Sequence, residues 1–439
     1  MGFRKSNFIF SKTWLHILIA VLCLPIYQFL GEPFKYLIAP YIIYMVVARK
    51  GAFFPALLVH FMAGSIISYV ILLSILGVTI YRFQLWAKYR LKWIFILSLI
   101  PLPYLIWQTY VRLNLMQMGL VQTLDYLSYY LGIFPFFYGL LLSYSIKRQQ
   151  IEAIIYILMF AFLLNFTSFY DDTIRYIFLS FPVIIALSLS LIFVNGEFIS
   201  RRLKTLCLVL GVAMLLVIGN QTFTILLCVF FTLLIVLVYR FRITSLLSFF
   251  RSPWFFALTT AFVLYAIFNT QNLSIVENSN REVDMEKIHF GDEEQFTDRM
   301  MLKIFDDRAP IWTAVMAEDF SENNLLPPLI IKSYAITTNS GKIKESDIPA
   351  HNLFLELIRY YGIILGLICS ILYLTVIIKA GKLLRIPKLH SYFLVLVSAI
   401  VATAVFGSML GQFPLMVTFS LLFTGLAGIC FGKYKKMSI

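Results

Sequence analysis

Ala350-His351-Asn352-Leu353-Phe354-Leu355-Glu356-Leu357 is where this chain returns to apolar sequence after its one long polar interval, residues 269–350. That interval is 82 residues long, whereas nearly all other connections between apolar segments are short. The chain as a whole is 60% hydrophobic and 13% charged, with a mean hydropathy of +0.86. A water-soluble domain has no interior large enough to hide that much apolar surface, so the composition predicts a polytopic membrane protein.

A membrane span needs roughly 17–25 apolar residues. Segments of about that kind stand at 14–30, 34–48, 55–80, 93–109, 123–145, 153–170, 176–195, 205–220, 222–239, 254–268, 352–378, 391–410 and 413–431. The expected fold class is therefore an all-α polytopic membrane protein with about 12–13 transmembrane helices. One large extracytoplasmic loop containing short helices interrupts them. Residues 1–268 carry the first ten spans, 269–350 form the loop, and 351–439 carry the C-terminal spans. The first segment has no small-residue cleavage site and many spans follow it, so it reads as a retained helix.

Charge orients the chain. The interval 269–350 holds 15 of the 22 carboxylates and 8 of the 36 Lys and Arg residues, a net of −7, which leaves +21 on the remainder. Short basic connections mark the cytoplasmic side, because Lys and Arg resist translocation. Tyr81–Lys92, Ile146-Lys147-Arg148, Ser200–Lys204, Tyr239–Arg242, Lys379–Lys388 and Lys433–Lys436 then lie inside, and the acidic interval lies outside. Both Arg4/Lys5/Lys12 and Arg49-Lys50 also favour the inside, and an odd number of spans cannot place both termini there. The basic balance reports topology and does not point to nucleic acid. All five cysteines lie in apolar stretches, where they read as small core residues.

Within the interval, 271–292 is polar and aperiodic, and Glu294–Phe305 fits a short helix. Asp306-Asp307 offer N-cap chemistry to a second helix over 308–320, whose Ile311, Trp312, Val315 and Phe320 recur at helical spacing. Such an amphipathic helix suits a bilayer surface.

Three positions invite chemistry. His351 stands at the expected start of a helix, where the positive end of the helix dipole favours a neutral, basic imidazole. An interfacial histidine capping the helix or facing headgroups fits the same pattern. Arg308 lies four residues before Trp312 and is suited to grip a phosphate bidentately; a surface pair with Asp307 is the alternative. Arg175 stands where an outer turn enters a span, either neutralised by Asp171 or Asp172 or directed into a cavity as an anion ligand. No pair of histidines has metal-ligand spacing. Gly362-Ile363-Ile364-Leu365-Gly366 matches a close-packing motif of membrane helices.

Ala350–Leu357, followed by Tyr361-Gly362 and Leu365-Gly366, resembles the signature of the bacterial O-antigen polymerase and O-antigen ligase superfamily. Arg308-Ala309-Pro310-Ile311-Trp312 resembles that family's Arg-x-x-x-Trp segment in the same loop. The resemblance is specific over about a sixth of the chain and architectural elsewhere. It implies an inner-membrane glycosyltransferase with its large loop in the periplasm. The reaction would be inverting, metal-independent and without a cofactor. The donor and acceptor would be glycans linked through pyrophosphate to undecaprenol in membrane lipid, with a chain-length regulator as a further partner. His351 would be the catalytic base, Arg308 would stabilise the pyrophosphate leaving group, and Asn352 would complete the His-Asn pair at the substrate. Arg175 matches by position alone. Two departures stand out: Asn220-Gln221-Thr222 replaces a Ser-Arg turn, and Leu325-Leu326-Pro327-Pro328 replaces a Pro-x-x-Gly-x-Gly segment.

Three readings follow. The first is a polymerase of surface-polysaccharide repeat units (O-antigen, capsule or exopolysaccharide). The second is a ligase moving finished glycan onto a lipid A core or protein. The third is a non-enzymatic flippase of lipid-linked oligosaccharide. A flippase needs cations inside a central cavity and has no need of a large outer loop.

Overall fold

A computed structural model describes residues 32–48, 66–143, 325–327, 336–337, 343–344, 353–381 and 424–437, with isolated positions between 22 and 30 and between 205 and 212. The helices are α1 (Glu32–Ala48), α2 (Ile66–Tyr81), α3 (Phe83–Lys88), α4 (Lys92–Leu99), α5 (Leu102–Asn114), α6 (Leu120–Leu131), α7 (Phe134–Leu142), α8 (Leu353–Gly381) and α9 (Leu426–Met437). Among the described residues the one regular element other than helix is a short antiparallel ladder. In it β1 (Ile336–Thr337) pairs with β2 (Ile343–Lys344), Ile336 opposite Lys344 and Thr337 opposite Ile343. Only short helices were expected in the polar interval. Thr338-Asn339-Ser340-Gly341-Lys342 between the strands carries the residue types that turn a chain. The helices expected at 294–305 and 308–320, and the spans expected at 153–170, 176–195, 222–239, 254–268 and 391–410, lie outside the described residues.

Among the described residues, two stretches, Lys92–Asn114 and Leu355–Tyr373, are long and apolar enough to cross a membrane. The first is α4 and α5 taken together. Pro101, at the cap of α5, and Pro103, in its first turn, do not separate them, because a proline there gives up only an N–H that has no partner within α5, and Leu105 still donates to the Pro101 carbonyl at 3.0 Å. Its outer face carries Trp93, Leu97, Ile100, Ile106, Trp107 and Tyr110, while Ser98, Gln108 and Arg112 are buried. That is the reverse of a helix that faces water.

The chain divides into two compact units. One comprises 1–232 with 371–405 and 413–439, and the other 233–370 with 406–412. In the first unit α7 is the core element, buried at each of its nine positions. Phe137 meets Trp86 at 5.2 Å and Phe95 at 4.8 Å between ring centroids, both edge-on, and Phe136 stacks on Phe431 at 6.1 Å. Three polar side chains in this interior donate across elements. The Tyr130 hydroxyl donates to the Ser98 carbonyl and the Tyr138 hydroxyl to the Val46 carbonyl, each at 2.9 Å. Thr424 Oγ1 donates to the Gly132 carbonyl at 2.7 Å. Away from water, a carbonyl left without a donor would cost more than the bond itself yields.

The expected span 123–145 is two helices, α6 and α7, with Gly132-Ile133 between them and Pro135 in the first turn of α7. Against α7 lies a seam of glycines from the C-terminal segment. A Cβ on Gly139 would meet the Gly425 carbonyl, one on Gly428 the Phe136 carbonyl, and one on Gly432 the Ser143 hydroxyl. The order runs the same way on both sides, Thr424 beside Gly132 and Gly432 beside Ser143, so α7 and α9 are parallel. A basic stretch follows α7 in sequence at Lys147-Arg148, and another, Lys433–Lys436, lies in the second half of α9. Gly428→Val is expected to lower stability by about 3 kcal/mol, because the obstacle is backbone and cannot rotate away. Thermal unfolding in detergent checks this.

The connection 81–92, expected as a loop, contains α3. Trp86 anchors it, donating Nε1–H to the Thr79 carbonyl at 3.1 Å from a fully buried position. Its end has the bonding of a Schellman motif: Leu91 N–H to the Trp86 carbonyl at 2.8 Å, Arg90 N–H to the Ala87 carbonyl at 3.0 Å. Glycine usually fills the left-handed position of this motif, yet here it is Arg90, at φ 57°. The substitution of side chain for glycine costs roughly 1 kcal/mol of backbone strain.

Candidate functional site

The second unit contains the polar interval and the first part of α8, the helix that follows His351 and Asn352 in sequence. Its opening residues are apolar except for Glu356 and Arg359. Glu356 is the one carboxylate anywhere between residues 351 and 439. Both side chains are buried, at 1% and 7% exposure, and Arg359 Nη1 lies 3.9 Å from Glu356 Oε1. The spacing of three residues puts them on one face of the helix. Leu357, Ile358 and Tyr361 are buried alongside.

Burying two charges costs several kcal/mol each, and a 3.9 Å contact is longer than the roughly 2.7–2.9 Å of a tight charge-assisted bond. Ionisable groups inside an apolar helix are expensive to keep, which makes this pair a candidate functional feature of α8.

At Gly362 the helix breaks, with φ 71° and ψ 176°. That backbone region is open essentially to glycine alone. Four residues on, a Cβ on Gly366 would sit 2.6 Å from Ile358 Cα and 2.8 Å from the Leu357 carbonyl oxygen. The spacing Gly362-x-x-x-Gly366 suggested close packing of two membrane helices. In the structure the first glycine makes a break and the second lets the following turn pass close to the preceding one. The break leaves the Ile364 N–H outside the helical ladder, and the Leu325 carbonyl accepts it at 3.2 Å. Leu325 belongs to the Leu325-Leu326-Pro327-Pro328 segment of the polar interval, so that interval is tied to α8 where α8 bends.

His351, Asn352, Arg308 and Arg175 lie outside the described residues. Glu356 and Arg359 were not singled out from sequence, although an acid and a base three apart inside an apolar stretch is a readable signal. A second buried guanidinium was also passed over. Arg112 of α5 is 1% exposed, one turn beyond fully buried Gln108, whose Nε2 donates to the Tyr104 hydroxyl at 3.1 Å. It belongs to the other unit. Among the described residues, no three of His, Cys, Asp and Glu lie together in a way that could hold a metal ion. No family model matches the chain, and no curated protein and no solved structure matches it either.

Proposed function

We propose that the chain is an inner-membrane glycosyltransferase that joins lipid-linked oligosaccharide repeat units into a surface polysaccharide. The observation that carries the reading is the junction around 351–366. A His-Asn pair directly precedes a helix that buries an ion pair, breaks at a glycine and donates a hydrogen bond to the long polar interval. A loop tied to a broken helix beside a titratable group suits a site that closes over an amphiphilic substrate.

In the proposed reaction His351 takes the proton from an acceptor sugar hydroxyl as its oxygen attacks the anomeric carbon of the donor. The bond from that carbon to the pyrophosphate oxygen breaks, and undecaprenyl pyrophosphate leaves. Negative charge grows on the leaving group, so guanidinium groups fixed beside it stabilise the transition state more than the ground state. Arg308 and Arg175 take that role. Such a leaving group needs no proton, so one base and two cations suffice. Asn352 holds the acceptor beside the base, and orientation of the two lipid-bound substrates supplies the rest.

The test is reconstitution of the full chain with a lipid-linked repeat unit as the sole glycan, without a nucleotide sugar and with chelator present. A ladder of lengthened lipid-linked products, with release of undecaprenyl pyrophosphate, is expected. Transfer only onto added lipid A core would identify a ligase. Movement of the unit across the bilayer without any new glycosidic bond would identify a flippase.

A further inference from the structure

We infer that Tyr81–Trp93 is a binding surface for the headgroups of anionic phospholipid. This rests on the membrane reading of α2 and α4–α5 and is independent of the glycosyl-transfer reading. The segment joins two apolar helical stretches, so it lies where both reach the end of their apolar run. It carries Arg82, Lys88, Arg90 and Lys92 and no carboxylate. Lys88, Arg90 and Lys92 are exposed and Arg82 is half-buried. Tyr81 and Trp93, at its two edges, are 80% and 75% exposed. Aromatic side chains displayed at that level, beside exposed Ile80 on one helix and Leu97 on the other, belong to a membrane interface. That excludes a nucleic acid as the better occupant of the charge.

The segment is also held in shape. Trp86 pins α3 to the core, and the Schellman bonds fix Arg90 in the left-handed position that glycine fills without strain. Nothing in the local backbone asks for arginine there. An exposed arginine kept at a strained position is accounted for by its charge. Arg82 and Lys92 lie over the rings of Tyr81 and Phe83, at 5.1 and 5.9 Å from the centroids, which keeps both cations close to the aromatic edge.

The experiment places the full chain in nanodiscs of phosphatidylcholine alone, or of equal parts phosphatidylcholine and phosphatidylglycerol, and reads thermal midpoint and retained lipid by native mass spectrometry. The wild type should unfold at a higher temperature in the anionic discs, retain phosphatidylglycerol selectively, and lose the gain at high salt. Each cation removed should weaken association with anionic lipid about fivefold. Arg90→Gly separates this role from a structural one. It should raise the midpoint in phosphatidylcholine, by relieving the backbone, while reducing the gain from phosphatidylglycerol. The quadruple variant R82Q/K88Q/R90Q/K92Q should keep its phosphatidylcholine midpoint and lose the gain. Equal wild-type midpoints in both discs, or a quadruple variant with the full gain, would overturn the assignment. So would a gain reproduced in phosphatidylcholine discs by inorganic phosphate, which would make the ligand a soluble anion. A chain that stays soluble without disc or detergent would instead remove the membrane reading beneath it.

Discussion

Replacing His351 by alanine is expected to abolish the polymer ladder while the protein remains in the membrane at its normal level. A sugar hydroxyl is a poor nucleophile until its proton is taken in the transition state, and a positioned base supplies about 10²–10⁴-fold of rate for that step. The proposed mechanism has one base, so no second group takes over the task. His351→Gln makes the point sharper, because it keeps a polar side chain of similar reach and removes only the ability to accept a proton and carry the charge. Both variants should fail alike in the reconstituted reaction, and both should still bind the lipid-linked substrate, since the leaving group is held by guanidinium groups elsewhere. A ladder of normal length from His351→Ala would take this residue out of the chemistry. A ladder from the glutamine variant alone would reduce it to a hydrogen-bonding group.

The legible part of this chain is the part governed by local composition. The apolar run read at 34–48 is α1, Glu32–Ala48, because length and hydropathy alone decide such a helix. The run read at 93–109 extends from Lys92 to Asn114. The run stops short of Arg112, whereas the helix carries both Gln108 and Arg112 on its buried side. Long-range partners were out of reach. The glycine pair 362 and 366 satisfies a spacing rule, but spacing does not reveal that Gly362 has φ 71°. The glycines that let two helices meet are Gly425, Gly428 and Gly432, and their counterpart Gly139 lies far away in sequence. The Leu325 carbonyl at Ile364 is of the same kind, because a backbone acceptor has no signature in sequence. At the candidate site, the histidine stood out because it interrupts an apolar boundary. Glu356 and Arg359 fall inside the apolar run 352–378, where their shared burial is a property of the packing around α8.

Removing one member of the Glu356–Arg359 pair is expected to destabilise the protein far more than removing both. With each side chain at 7% exposure or less, screening by water offers little relief to a charge whose neighbour is gone. Arg359→Met takes one partner from the buried Glu356 carboxylate, and Glu356→Leu takes one from the buried guanidinium. The cost of breaking a buried pair from one side is about 3–5 kcal/mol, whereas apolar replacement of both partners is close to neutral. Thermal unfolding of the two single variants and the double variant in detergent measures the difference directly. The double variant should recover most of the lost stability. Its activity is then informative, because a stable but inactive protein would show that the pair positions the chain around His351 rather than merely holding α8 together. A double variant as fragile as either single one would show that each charge is held by other partners and not by its neighbour along the helix.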